Sequence, residues 1–229
     1  YNMICNNPRE GYRGWILRKK MGDKTLNDYI QDWNTVNLNA LIFEDKQINR
    51  NKAGLIYYGT FRKHRIKDML KYNNVDYFLS SSAKNHAKFQ DAGITAKFID
   101  RISWFDMGED LFTFDGIHLA DYKYSLYVED EHTHDNYAFM ANRFYECLMN
   151  DVVMFYDINC INTIEKSGFD IHPMQLVSDG DELNLKLKVL NDDPSMYQYV
   201  LSYQNQNKQK VLQEQAEVVA QLKNVLYNV

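Results

Sequence analysis

The sequence predicts an α/β protein with a parallel β-sheet that is covered by helices on both faces. Three observations favour this class. From residue 53 onward, short apolar runs alternate with helix-like segments about every 25 residues. Small or polar residues directly follow several of the apolar runs. The chain has 229 residues and is 45% hydrophobic, enough to bury a sheet on two sides. Strands that are linked through helices pair as right-handed crossovers in one sheet.

The strands are predicted from apolar runs of about five residues, a length typical of buried strands. In chain order the runs are Gly54–Tyr58, Val75–Leu79, Thr95–Ile99, Tyr124–Val128, Val152–Tyr156 and Pro173–Val177. Leu38–Phe43 could form a further strand near the start, and residues 101–120 are expected to be irregular.

The helices are predicted from apolar residues at helical spacing and from the stop signals Gly93 and Gly168. They are Leu26–Trp33, Phe61–Tyr72, Lys84–Ala92, Tyr137–Met149, Asn159–Lys166, Asp181–Leu190, Ser195–Tyr203 and Lys208–Tyr227. We therefore divide the chain into an N-terminal segment (1–50), a sheet domain (51–207) and a C-terminal helix (208–229).

Composition limits the classes of function. The net charge of −5 argues against nonspecific DNA binding by the whole chain, although the basic segment 9–20 leaves a local patch open. No apolar run approaches the roughly 20 residues of a membrane span, and no signal peptide is visible. Three cysteines without zinc-like spacing favour a reduced, cytoplasmic setting. Abundant Asn, Lys, Tyr and Ile with only three Pro is a compositional pointer to a phage or a low-GC bacterium.

The first candidate site is the basic turn after the first predicted strand. Gly59 would let the backbone approach a ligand closely. The helix that follows would offer free N–H groups to a phosphate, and Arg62, Lys63 and Arg65 would add positive charge. Neither G-x-x-x-x-G-K-[ST] nor G-x-G-x-x-G is present. The alternative is a solvated basic helix start.

The second candidate site combines Lys123, just before the fourth strand, with a later helix. Lys123 could reach a diphosphate. Asn142 and Glu146 share one face of the helix because they are four residues apart. Glu146 could accept two hydrogen bonds from ribose hydroxyls, while Arg143 could face the diphosphate. The alternative is that Arg143 and Glu146 form a surface ion pair.

The third candidate is the charged segment 129–135, which holds two histidines among four carboxylates. Its spacing matches no common zinc or calcium signature, so a charged surface loop is the preferred interpretation and no metal is expected. Glu129 or Asp130 could still bind hydroxyls of a ligand at the end of the central strand. The other histidines are isolated, and only His64 and His118 remain candidates for chemistry.

With both main sites at strand ends of one sheet, residues 53–207 resemble the C-terminal, donor-binding half of a GT-B glycosyltransferase. The resemblance rests on 53–65 as the entry strand and phosphate loop, on Tyr122–Leu126 followed by Asn142–Leu148, and on 179–192 as the closing helical segment. A paired E-x7-E motif is missing, since Ala138 stands eight residues before Glu146. Retention or inversion therefore cannot be predicted.

The resemblance implies a Rossmann-like donor-binding domain and a sugar nucleotide, with a UDP-sugar as the expected donor and no cofactor. By that analogy Glu146 binds the ribose, and Arg62, Arg65 and Lys123 hold the diphosphate without a metal. The acceptor would be a glycan, a protein or modified phage DNA, and the catalytic base stays unassigned.

Segment 1–50 is short for an acceptor domain, so a fragment, a partner chain and a minimal acceptor domain all remain open. The alternative function is a non-catalytic Rossmann-like binding module derived from a transferase. A kinase or an epimerase is a weaker alternative.

Overall fold

The computed structural model describes residues 53–102, 118–129 and 140–227, and within these ranges six strands form one sheet. They are β1 (Leu55–Tyr58), β2 (Phe78–Ser80), β3 (Lys97–Ile99), β4 (Tyr124–Tyr127), β5 (Val153–Asp157) and β6 (Leu176–Val177). Every neighbouring pair runs parallel, so the predicted Rossmann-like fold class is confirmed. The predictions made for residues 1–52, 103–117 and 130–139 lie outside the described residues.

Helices connect and cover the strands. They are α1 (Ile66–Met69), α2 (Ala83–Asp91), α3 (Asn142–Met149), α4 (Ile161–Lys166), α5 (Gly180–Asp192) and α6 (Pro194–Tyr227). The predicted helix after β1 is present in a tighter form, because 3-10 turns at Lys63–Arg65 and Leu70–Tyr72 flank the single turn of α1. Asp179 caps α5 by accepting a hydrogen bond from the Glu182 backbone N–H at 2.9 Å.

The sheet separates two apolar cores, as the alternation of side chains along each strand requires. Ile56 of β1 belongs to the core that α3 and α4 cover, whereas the adjacent Tyr57 belongs to the core under α1, α2 and α5. Helix α6 contributes to both, with Val200 in one core and Val211 in the other. Helices on both faces of the sheet are therefore confirmed.

The C-terminal helix is longer than the sequence predicts. Helices at Ser195–Tyr203 and Lys208–Tyr227 were expected to be separate, but α6 runs unbroken from Pro194 to Tyr227, so the predicted break is wrong. The polar residues between them include Gln204 and Asn207, which are buried. Their amides anchor the helix instead of ending it.

Gln204 replaces a strand partner where the short β6 leaves the start of β5 unpaired. Its side-chain oxygen accepts from the Met154 N–H at 2.9 Å, and its amide nitrogen donates to the Val152 carbonyl at 2.9 Å. A helix side chain thus satisfies backbone groups that a longer β6 would have paired.

The sixth predicted strand begins later than expected. Residues Pro173–Gln175 form a 3-10 turn, and only Leu176–Val177 pair with β5. The reason is the turn at His172, whose ring accepts a hydrogen bond from the Met174 N–H at 3.2 Å. Among the described helices, none combines the length and apolarity that crossing a membrane requires.

Candidate functional site

The strand order places a candidate site at one edge of the sheet. The order is β3-β2-β1-β4-β5-β6, so the direction of the chain across the sheet reverses between β1 and β4. In open parallel sheets, ligands bind outside the carboxyl ends of the strands at this reversal. Gly59 follows β1 there, and Glu129 lies two residues beyond the end of β4.

Gly59 makes room for a side chain from α3. Its φ of +154° lies in a region that other residues rarely adopt. A Cβ at this position would lie 3.2 Å from the Arg143 guanidinium. Its carbonyl is held by the Ser81 hydroxyl, which donates to it at 2.7 Å. A larger residue at this position would therefore meet both backbone strain and a buried arginine.

Arg65, Glu129, Arg143 and Tyr57 form the arginine cluster, in which two guanidinium groups share one bridging carboxylate. Arg65 pairs with Glu129 Oε2 and donates to the Tyr57 hydroxyl at 2.9 Å. Arg143 lies 3.2 Å from Glu129 Oε1, and its guanidinium stacks 5.0 Å from the Tyr57 ring centroid. The cluster links the turn after β1 to the first turn of α3 across the reversal.

The cluster is buried, and its arginines stay charged. Arg65, Glu129 and Arg143 are 6%, 3% and 9% exposed. Burial acts to lower the pKa of Arg143, but the Glu129 carboxylate and the hydroxyls of Tyr57 and Tyr127 together outweigh it and hold that pKa well above its ordinary value. The pKa of Arg65 is raised as well, since the Tyr57 hydroxyl and Glu129 outweigh its burial and the nearby Arg143. Positive charge is therefore fixed at the reversal point.

Glu146 lies on the same helix as Arg143, one turn further on, and is 5% exposed. The Tyr58 hydroxyl donates to its Oε2 at 2.7 Å. Burial raises the pKa of Glu146, although Tyr58 and Arg143 oppose that shift. The alternative of a surface ion pair between Arg143 and Glu146 is wrong, because both side chains are buried and each contacts a partner on another element.

The structure brings Gly59, Arg65, Glu129, Arg143 and Glu146 together, and it places Arg62, Lys63 and Lys123 elsewhere. Arg62 and Lys63 are exposed on the turn after β1. Asn142 is the first residue of α3. Lys123 precedes β4 and therefore lies at the amino edge of the sheet, where its ammonium contacts Asn191 at 3.0 Å.

The sequence suggested that Glu129 could bind hydroxyls of a ligand, and this stays a prediction. In the structure its carboxylate contacts the two guanidinium groups. Asp130 and most of the charged segment lie outside the described residues.

Two tyrosines in the site were not identified from the sequence. Tyr57 and Tyr58 looked like core residues of a buried strand, and both are indeed buried. Their hydroxyls nevertheless contact the charged groups of the site. A buried tyrosine needs a polar partner for its hydroxyl, so two tyrosines ending a strand just before a glycine were the available signal.

A second charged cluster lies at the same sheet edge. This β5-end cluster consists of Asp68, Lys71, Tyr72 and Asp157. Lys71 contacts Asp68 at 2.9 Å and Asp157 at 3.2 Å, and the Tyr72 hydroxyl donates to Asp157 at 2.6 Å. Across residues 53–102, 118–129 and 140–227, no group of three or more His, Cys, Asp and Glu side chains is arranged to hold a metal ion.

The topology defines a Rossmann-like domain, with a parallel sheet between two layers of helices and buried charges at the reversal of strand order. The chain is similar in structure to a mutant of the T4 phage beta-glucosyltransferase in complex with UDP-glucose, with a TM-score of 0.56 and 18% identity over 83% of this chain and 54% of that one. It is also similar to a DNA-modifying beta-glucosyltransferase solved with and without uridine diphosphoglucose, with a TM-score of 0.57 and 15% identity over 86% of this chain and 61% of that one.

These likenesses concern the fold. The fold implied by the resemblance to GT-B glycosyltransferases is confirmed. The chain spans 54 to 61% of the length of the two matched structures. No protein-family model and no curated protein sequence matches it.

Proposed function

We propose that this chain is the donor-binding part of a glycosyltransferase that takes a UDP-sugar and transfers the sugar to an acceptor hydroxyl. The observation that carries the proposal is the placement of Arg65 and Arg143, two buried cations with one bridging carboxylate, at the reversal point of the sheet. The likeness in fold to transferases solved with UDP-glucose supports it.

In this proposal the diphosphate binds to the two arginines. Guanidinium groups bind phosphate oxygens through paired hydrogen bonds, and the close backbone at Gly59 allows the phosphates to approach. When the bond to the sugar breaks, negative charge builds on the departing diphosphate. Cations that are already in place stabilise that charge without having to reorganise. Arg62 and Lys63, which are exposed on the same turn, would attract the donor from solution.

Glu146 would bind the ribose of the donor. A carboxylate has two oxygens with about four acceptor positions, so it can accept hydrogen bonds from two neighbouring hydroxyls. Glu146 lies one helical turn from Arg143, which places a ribose-binding group next to a diphosphate-binding group. This spacing matches the order of ribose and phosphate in a nucleotide.

We propose DNA whose bases carry hydroxyl groups as the acceptor class. The support is the likeness in fold to a DNA-modifying beta-glucosyltransferase. A glycan acceptor is the competing candidate. The acceptor hydroxyl must lose a proton during the transfer, and no described residue is assigned as its base.

Thermal unfolding with nucleotides tests the donor class. A ligand at 100 times its dissociation constant adds about 2.7 kcal/mol to the free energy of unfolding, which raises the melting temperature by several degrees. We expect this shift with UDP and a smaller one with ADP, GDP, CDP or dTDP. Uridine, which lacks phosphates, is the control and should give almost none.

Transfer of labelled glucose from UDP-glucose to hydroxyl-bearing DNA, to unmodified DNA and to glycans then tests the acceptor. Running the assay with a chelator and with Mn2+ tests the further proposal that the arginine charge suffices without a metal. The absence of a shift with every nucleoside diphosphate would overturn the proposal. UDP binding without transfer to any acceptor would favour the non-catalytic binding module.

A further inference from the structure

Tyr58 connects the end of β1 to the carboxylate of Glu146. Its ring is buried in the apolar core beneath α3, and only its hydroxyl reaches a charged group. That hydroxyl donates to Glu146 Oε2 at 2.7 Å and lies 3.3 Å from the Arg143 backbone carbonyl. The two residues are 88 positions apart in the chain, so the contact depends on the docking of α3 against the sheet.

A carboxylate that must accept ligand hydroxyls benefits from being held in advance. Glutamate has three side-chain torsions, and ordering them during binding would reduce affinity. The hydrogen bond from Tyr58 occupies one acceptor position on Oε2 and leaves the others available. The pKa of Tyr58 is raised well above its ordinary value by burial, with Cys147 and Glu146 adding to the shift, so the phenol keeps its proton and remains a donor.

We propose that Tyr58 is a positioning residue for nucleotide recognition, whose hydroxyl fixes the Glu146 carboxylate in the orientation that receives the ribose hydroxyls of the donor. The inference rests on the proposed function and assigns Tyr58 a role through Glu146 alone. It also explains why β1 ends in tyrosine and is followed by glycine. Tyr58 orients the ribose-binding carboxylate, and the adjacent Gly59 leaves room for the Arg143 guanidinium, which would lie 3.2 Å from a Cβ at this position.

The test compares two ligands on two matched variants. Tyr58→Phe removes only the hydroxyl. Tyr156→Phe makes the same change at a fully buried tyrosine in the same core, whose hydroxyl donates to the Met154 sulfur at 3.5 Å. Titration calorimetry measures the dissociation constants of UDP and of 2′,3′-dideoxy-UDP, which lacks both ribose hydroxyls.

We expect Tyr58→Phe to raise the dissociation constant of UDP about ten-fold, in the range of a lost hydrogen bond to a charged group. For the dideoxy ligand we expect the dissociation constant to change by less than about two-fold, because no ribose hydroxyl remains to donate a hydrogen bond to Glu146. Tyr156→Phe should change neither constant. An equal loss of affinity for both ligands, or no loss for UDP, would show that Tyr58 has no positioning role.

A second background keeps the test decisive if Tyr58→Phe folds poorly. Glu146→Gln removes the charge that would be left buried without its donor. In that background, adding Tyr58→Phe should change UDP affinity by less than about two-fold, because Tyr58 acts only through the carboxylate. A further ten-fold loss would contradict the proposal. Failure of the wild-type chain to bind UDP would overturn the proposed function and this inference together. If the wild-type chain binds UDP and Tyr58→Phe loses equal affinity for UDP and for the dideoxy ligand, only the inference is overturned.

Discussion

The arginine cluster and the β5-end cluster lie at the same edge of the sheet, and both bury ionic groups, but they differ in the sign of their charge. The arginine cluster sets Arg65 and Arg143 against one carboxylate, that of Glu129. The β5-end cluster sets two carboxylates, those of Asp68 and Asp157, against one lysine. The first composition suits an anionic ligand, and the second does not.

The surroundings of the two clusters also favour ligand binding at the arginine cluster and not at the β5-end cluster. At the β5 end, the Asp157 carboxylate also accepts from the Asn159 backbone N–H at 2.9 Å, and Asn159 donates to Asp68 at 2.9 Å. These contacts fasten α1 to the end of β5. The arginine cluster instead lies beside a glycine and at the reversal of strand order. Burial of ions alone therefore does not define a site, whereas an excess of one charge together with the topology does.

The largest expected effect comes from substituting one cation in each cluster. Arg143→Met removes a guanidinium from the proposed diphosphate site, and the loss of a buried charged hydrogen-bonding partner predicts a UDP dissociation constant raised roughly 30-fold or more. Glu129 would keep its pairing with Arg65, so the variant should remain folded. Lys71→Met is the matched control. It should lower the free energy of unfolding by roughly 1–3 kcal/mol, because two buried carboxylates lose their cation.

Calorimetry with UDP and urea unfolding of both variants provide the measurement. The UDP affinity of Lys71→Met should equal that of the wild-type chain. A comparable loss of affinity in the two variants would mean that both clusters serve the ligand or that neither does, and the arginine cluster would then not be the specific diphosphate site.

The sequence predicted the fold well because the strands carry their own signal. Each described strand lies within or next to a predicted apolar run, since buried parallel strands need continuous apolar side chains. The break predicted in α6 was wrong because polar residues at 204–207 look like a linker. Gln204 instead satisfies the backbone of β5, a long-range contact that no local pattern shows.

The candidate site was predicted from residues that follow strands. That reasoning selected Gly59, Glu129 and the start of α3, which converge in the structure. It also selected Lys123, which does not lie near these residues. A residue that precedes a parallel strand lies at the opposite edge of the sheet from one that follows it. It omitted Tyr58, since a hydrogen bond between residues 88 positions apart depends on how α3 docks.

A smaller effect is expected from the glutamate beside the arginine cluster. Burial raises the folded-state pKa of Glu146 above its ordinary 4.5. The stability that its proton contributes is therefore fully present below 4.5 and is lost as the pH rises through the raised value. At neutral pH the charged carboxylate is a cost, so Glu146→Gln should raise the melting temperature, and the gain should shrink as the pH falls.

Glu182 supplies a control of opposite sign. Hydrogen bonds from Lys186 and from Ser178 lower its pKa to about 2, so its contribution is present above 4.5 and is lost as the pH falls toward 2. Because its side chain is 36% exposed, Glu182→Gln should lower stability at neutral pH by no more than about 1 kcal/mol. Melting curves between about pH 2 and pH 8 compare the two variants. A loss of stability in Glu146→Gln at neutral pH would show that its carboxylate stabilises the folded chain.

The smallest expected effect concerns Lys123, a cation at the opposite edge of the sheet. Glu129 is six positions further along the extended chain, a distance of about 20 Å, which exceeds the reach of a lysine side chain. Its ammonium lies 4.4 Å from the Tyr197 ring centroid and contacts Asn191 at 3.0 Å, so its partners are on α5 and α6. Lys123→Gln should therefore leave the UDP dissociation constant within about two-fold of wild type and lower stability by about 1 kcal/mol or less. Arg65→Gln, measured in parallel, should weaken UDP binding strongly. An equal loss of UDP affinity in the two variants would indicate that Lys123 binds the diphosphate, as the resemblance implied. The position of a cation relative to the strand ends would then not decide whether it binds the donor.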